Sequence, residues 1–138
     1  MSRPAADLLR ELFELHRRGG VEAALPLLAD DVVVVIPPTL SAEPDVYRGH
    51  DGARRYFAGF DDAIDEVRFD LRASEDERPD SALAVMAVSG VGAATRIPIE
   101  IDVVVLCTAR EGKVVRMAAH PDLEAARNDR DGQAPQLS

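Results

Sequence analysis

Glu100 and Asp102 stand two residues apart in the most apolar strand of the chain, Ile97-Pro98-Ile99-Glu100-Ile101-Asp102-Val103-Val104-Val105-Leu106-Cys107. Residues two apart in a strand point the same way. The two carboxylates therefore share a face with Val104 and Leu106, and Ile97, Ile99, Ile101, Val103 and Val105 form the other. On the wall of an apolar cavity, desolvation and mutual repulsion would raise the pKa of such a pair until it held one proton near neutral pH. It could then act as acid and base at the carbon beside a carbonyl, as an aldol-type ring closure or an enolising isomerisation needs. Arg96 has the same parity and could bind an enolate or a carboxylate, or neutralise Glu100. The alternative is a solvent-facing pair, because a sheet with one wet face alternates apolar and charged residues in this way. By composition the Ile/Val face is the better core face, which puts both acids outside.

His120 is the nearest further candidate. A three-residue loop of Arg110-Glu111-Gly112 pairs Ala109 with Lys113 and sets Asp102 opposite His120, whereas a slip of one residue turns His120 to the other face. His16 lies on the apolar side of the first helix and reads as a core or cavity-wall histidine, and His50, in a helix-entry loop, as exposed. Three histidines at these spacings make no metal site. Cys107 sits in a buried strand as an inert, packed thiol.

Periodicity shows the scaffold that carries these groups. Ser2 caps a helix with Pro4 in its first turn, and Leu8, Leu9, Leu12, Phe13, Leu15 and His16 recur along it until Gly19-Gly20. A shorter helix spans 21–28 and is bent or ended by Pro26. Val32 to Ile36 is a β-branched run, a strand with both faces buried. A loop rich in Pro, Ser and acids covers 37–47. Gly49 and Gly52 then allow a tight entry into a third helix, with Asp51 as its cap and Tyr56, Phe57 and Phe60 on its apolar side. From Glu66 onward the chain is a meander of four strands. Val67, Phe69 and Leu71 alternate with Arg68, Asp70 and Arg72 in the first of them, and Gly90 and Gly92 suggest a bulge or bend in the second. The layout is α+β: a curved antiparallel sheet with three helices packed on one face and a conical hollow between the layers.

The chain has 138 residues, 46% of them hydrophobic, enough for one domain with a real core, here residues 1–127, followed by a polar, frayed tail at 128–138. A net charge of -9 argues against nucleic acid or an anionic membrane as partner. A single cysteine leaves no internal disulfide. No apolar run approaches a membrane span, and the N-terminal residues carry no uninterrupted apolar stretch, so a cytoplasmic location is expected.

Three stretches carry a resemblance: Leu27-Leu28-Ala29-Asp30-Asp31-Val32, the run from Val46 to Phe57 through Tyr47-Arg48-Gly49-His50-Asp51-Gly52, and Arg110-Glu111-Gly112-Lys113-Val114-Val115-Arg116. In this order and spacing the chain resembles the NTF2-like superfamily, of the SnoaL-like (polyketide cyclase-like) kind, over about residues 5–127. The resemblance implies the cone fold. It does not fix the chemistry, because the fold hosts isomerases, cyclases, epoxide hydrolases, dehydratases and plain binding domains. The acid-base set of the steroid isomerases falls on Leu12, Ile36, Phe57 and Val104, and the epoxide-hydrolase positions on apolar residues near Met86 to Val88 and Ala119, so neither set is present. Matching Val104 to the isomerases' inward acid implies that Glu100, Asp102 and Leu106 face the cavity, against the reading from composition. His120-Pro121-Asp122 is similar to the end of the last strand in SnoaL-like cyclases, which implies an acid-base role for Asp122.

Two functions are expected on these grounds. One is a cofactor-independent cyclase or isomerase acting on a small, apolar, carbonyl-bearing molecule, with Asp102 as base and His120, Glu100 or Asp122 as partner. The other is a non-catalytic small-molecule-binding or protein-interaction domain. Its cavity would be lined by Phe13, Val34, Phe57, Phe60, Met86, Leu106 and Met117, with His16, Tyr56 and Arg96 on the wall. Tyr47 sits at the mouth as a loop anchor or a ligand contact. In both cases the Ile97–Val105 face is expected to join a homodimer.

Overall fold

Leu8, Leu9 and Leu12 recur on one side of the first helix, and all three are buried in the structure, a computed structural model that describes residues 4–36 and 45–136. Helix α1 spans Ala5–Ala24 and consists of two helical segments joined across a kink at Gly20, whose φ of 75° and ψ of -166° are non-helical, where Gly19-Gly20 was expected to stop the first helix. Pro26 confines the next segment to a single 3-10 turn, Leu25–Leu27. Strands β1 (Leu28–Ile36) and β2 (Asp45–Arg48), helix α2 (Gly49–Ala63), strands β3 (Ile64–Arg78), β4 (Ser81–Gly92), β5 (Pro98–Arg110) and β6 (Lys113–His120), and helix α3 (Leu123–Gln136) complete the order. The expected cap Ser2 and residues 37–44 of the loop expected at 37–47 lie outside the described residues, whereas 45–47 of that loop belong to strand β2. Helix α3 reaches into the segment read as a frayed tail.

The sheet is curved and mixed, in the order β2-β1-β6-β5-β4-β3. The meander from β3 to β6 is antiparallel throughout, and β1 closes onto β6 in parallel. Helices α1 and α2 pack on one face, where Leu8, Leu12, Phe57, Met86, Val105, Cys107 and Met117 form the main core. The third helix of the fold is α3, and it covers the opposite face over Leu83, Val104, Leu106 and Ala118.

The β5–β6 hairpin turns on two residues, Glu111 and Gly112, with φ of 53° and 76°. A two-residue turn of this kind needs positive φ at both positions. The register then shifts at a bulge, from Ala109 opposite Val114 to Thr108 opposite Arg116, which leaves Val115 as the extra residue. His120 therefore lies opposite Val104, two residues away from the expected Asp102.

Strand β5 settles which face is which. Val103, Val105 and Cys107 belong to the core under α1 and α2, and Val104 and Leu106 to the smaller cluster under α3. Glu100 and Asp102 share the parity of Val104, so they lie on the α3 side of the sheet, and both are exposed. The physical reason is plain. Each buried aliphatic side chain contributes about 1.5–3 kcal/mol, and an unpaired carboxylate in its place would cost several kcal/mol. Matching to the isomerases predicted the other face, and composition predicted this one. The same geometry turns Val103 and Val105 towards the inside of the cone, while Ile97 and Ile101 of the same stretch remain 60% and 48% exposed.

Candidate functional site

Under α2 the curved sheet leaves a cavity of about 330 Å³. Helix α1 supplies Phe13 to it, β2 supplies Tyr47, and α2 supplies Tyr56, Gly59, Phe60 and Ala63. The sheet contributes Ile36, Ile64, Phe69, Met86, Val88, Ile101, Val103, Val105 and Ala119. Alternation explains the floor: Met86 and Val88 on β4 pair with Val103 and Ile101 on β5, and Val105 continues the same concave face.

Gly52 lets this wall form. A Cβ there would sit 2.8 Å from the carbonyl carbon of Tyr47, so only glycine allows α2 to press against β2 at that point. The approach sets the ring of Tyr47 edge to face with that of Tyr56, centroids 5.7 Å apart. Tyr56 in turn meets Phe60 at 5.2 Å, and Phe60 meets Phe69 at 5.2 Å. The Arg55 guanidinium lies 5.2 Å from the centroid of the Tyr47 ring, within cation-π range. His50 is partly buried, contrary to expectation: its Nε2–H donates to the carbonyl of Leu28 at 3.0 Å and fastens α2 to β1. Asp51 lies inside the first turn and pairs with Arg54, so it does not cap the helix from outside.

Among the described residues lining the cavity, the two phenols are the only polar side chains. Burial pushes the Tyr56 phenol up, and Tyr47 adds to the effect. Tyr56 thus stays protonated at any physiological pH and can donate one hydrogen bond into an apolar space. No carboxylate or imidazole lines this cavity among those residues. Nor, among the described residues, do three or more His, Cys, Asp or Glu side chains gather as a metal ion would need.

The expected site residues divide into four groups. Phe13, Tyr47, Tyr56, Phe60 and Met86 line the cavity. Val34, Phe57 and Met117 are buried behind it in the core. His16 packs on Phe57 at 4.6 Å and Phe69 at 5.3 Å, and it lines a neighbouring groove between α1 and β3. Burial pushes its pKa down, against a smaller opposing pull from Asp61.

The remaining expected residues lie elsewhere. Leu106 packs under α3. Arg96 stands in the β4–β5 turn, exposed, with φ 61°, and pairs with Asp65. Glu100 pairs with Arg72 at 3.0 Å, both side chains more than half exposed. His120 Nε2 and Arg116 both bond the Asp129 carboxylate, at 2.8 and 3.2 Å, and so tie β6 to α3. The Asp122 carboxylate accepts the backbone N–H of Ala125 at 2.8 Å and caps α3. The four residues expected to share acid-base work therefore sit on the far side of the sheet from the cavity or beyond its end. Sequence reasoning did not name Ile36, Gly59, Ala63, Ile64, Phe69, Val88, Ile101, Val103, Val105 and Ala119 as site residues. The Ile/Val alternation of β5 and the Phe69 alternation of β3 were the signals that could have found most of them.

Comparison with solved structures places this architecture. An NTF2-like protein from Burkholderia thailandensis superposes with a TM-score of 0.75 at 19% identity, over 96% of this chain and 99% of that one. TerC, co-crystallised with polyporic acid, gives 0.74 at 20% identity, over 91% and 96%. A Mycobacterium tuberculosis protein in complex with estradiol-17beta-hemisuccinate gives 0.72 at 16%, over 89% and 97%. At these identities the likeness is one of fold. No curated protein matches the chain in sequence. No helix among the described residues is long and apolar enough to cross a membrane. The model of the SnoaL-like domain matches residues 9–117, most of the length, and the chain belongs to that family.

Proposed function

We propose that this domain binds a neutral, apolar ring molecule bearing a hydrogen-bond acceptor, in the cavity under α2, and that it does so without acid-base chemistry from Glu100, Asp102, His120 or Asp122. The observation that carries the reading is the lining: aromatic and aliphatic side chains with two phenols and, among the described residues, no group that titrates near neutrality. A carboxylate-bearing ligand would find no cation inside to pair with, and a carbonyl would find the Tyr56 hydroxyl. The volume of about 330 Å³ is at the lower end of the range for small-molecule sites. The solved structures of TerC co-crystallised with polyporic acid and of the protein in complex with estradiol-17beta-hemisuccinate lend fold-level support to a small-molecule ligand.

A cyclase or isomerase is the second reading. Its support is family membership and the protonated Tyr56, which could polarise a carbonyl. It lacks a base among the described lining residues.

Titration calorimetry with a naphthoquinone tests the first reading. Gly59 lines the cavity, and a Cβ added there meets nothing within 4 Å. Gly59→Trp should therefore fill the cavity without straining the backbone and abolish binding, with the melting temperature kept. Binding unaffected by this substitution, or no binding to the wild type, would remove the reading.

A further inference from the structure

Phe13, Ile64 and Phe69 line both the cavity under α2, of about 330 Å³, and the groove between α1 and β3, of about 390 Å³. At these residues the two spaces are one side chain apart. Phe69 stands in the middle of the partition. Its ring centroid lies 5.2 Å from that of Phe60, which lines only the cavity, and 5.3 Å from that of His16, which lines only the groove.

The strand beneath Phe69 has room to give. Strand β3 ends the sheet and is paired only with β4. A bulge between Asp65 and Arg68 sets Glu66 and Val67 opposite Gly90, and Glu66 takes φ 56°, a conformation that favours glycine. A second shift of register follows Leu71. Irregular pairing therefore bounds the short stretch that carries Phe69 on both sides.

His16 is the polar group of the groove that has no hydrogen-bonded partner of its own. Its ring is partly buried against Phe57 and Phe69, and it forms no hydrogen bond among the described residues. Burial lowers its pKa and favours the neutral ring, which offers one donor and one acceptor, the complement of a hydroxyl. The charges around it repel an anion. Arg17 is paired with Glu14 and Asp65 with Arg96, which leaves Asp61, Glu66 and Asp70 against Arg68.

We propose that cavity and groove are two halves of one ligand site, joined by displacement of the Phe69 ring, and that its ligand is an elongated, uncharged molecule with an acceptor at the Tyr56 end and a hydroxyl at the His16 end. This rests on the reading of the cavity under α2 as the binding site. A ligand ring lying across the partition takes over the aromatic contacts that the Phe69 ring gives up. The ligand is then read at both ends, by a phenol that donates and an imidazole that accepts.

Titration calorimetry of the full chain tests this with a naphthoquinone and with the same quinone carrying a phenethyl arm that ends in hydrogen, in a para hydroxyl or in a para carboxylate. The plain arm should raise affinity about tenfold or more, by burying apolar surface in the groove. The hydroxyl should add about two- to tenfold, the worth of one hydrogen bond, and the carboxylate should bind more weakly than the plain arm. His16→Phe should erase the increment of the hydroxyl over the plain arm. An arm that adds no affinity, a carboxylate that binds best, or a hydroxyl increment that survives His16→Phe would overturn the inference and leave the cavity reading standing. Failure of all four probes to bind would remove both. Should His16→Phe fold poorly, nitrogen NMR of the wild-type imidazole decides. The hydroxyl and plain arms should leave the His16 ring nitrogens at different shifts, and identical shifts would overturn the inference.

Discussion

Tyr47 and Tyr56 meet edge to face, ring centroids 5.7 Å apart and planes at 64°, so the two phenols of an otherwise apolar lining stand side by side. Removing the Tyr56 hydroxyl should matter only to a ligand that accepts a hydrogen bond. With Tyr56→Phe, affinity for a naphthoquinone should fall by about 0.5–1.5 kcal/mol, the net worth of one hydrogen bond, while affinity for naphthalene stays the same. Equal losses for both would assign the effect to packing.

Phe57 is 1% exposed and lies between Phe13, His16, Tyr56 and Phe69. Truncation leaves a void that the surrounding rings can fill only in part. Phe57→Ala should destabilise the domain by about 3–5 kcal/mol in urea unfolding. A loss below about 1 kcal/mol would show that the aromatic cluster relaxes into the space.

His16 gives the stability a pH dependence. Burial lowers its folded pKa below the ordinary 6.5, so the unfolded chain takes up a proton first as the pH falls. Stability contributed by the neutral ring is fully present above 6.5 and is lost as pH falls through the window between 6.5 and the lowered folded value. His16→Phe should flatten the melting temperature across that window. An unchanged slope would locate the dependence elsewhere.

Cys107 is buried at 0% exposure, and desolvation pushes its thiol up to about 12. A neutral, enclosed thiol is a poor nucleophile. The native protein should therefore not react with a thiol-specific disulfide reagent, and the label should appear only at the rate of unfolding. Fast labelling of the folded chain would contradict this packing.

Much of the fold was legible in the residues themselves. The Leu stripe of α1, the β-branched run of β1, the entry glycines of α2 and the turn at Gly112 all mark elements that the structure contains. The facing of β5 was legible too, since five Ile and Val residues on one side outweigh a side carrying two acids. Anchoring the count at Gly112-Lys113 and on Val104 as an inward acid gave the opposite answer. Hairpin register was harder to read. The bulge at Val115 leaves no mark in composition, and with the two-residue turn it moves His120 from Asp102 to Val104. The cavity lining was half legible: the aromatic side of α2 announced itself, but Ile64, Val88 and Ala119 enter only because the sheet curves.

The central claim is that ligand enters on the concave face of β5 and away from its acids. Methyl NMR reads it directly, because neighbouring residues of one strand report on opposite faces. On titration with a naphthoquinone, the methyls of Met86, Ile101, Val103 and Val105 should shift, while those of Leu83, Val104 and Leu106, under α3, stay in place. Shifts confined to Leu83, Val104 and Leu106 would put the ligand beside Glu100, Asp102 and His120 and contradict the account.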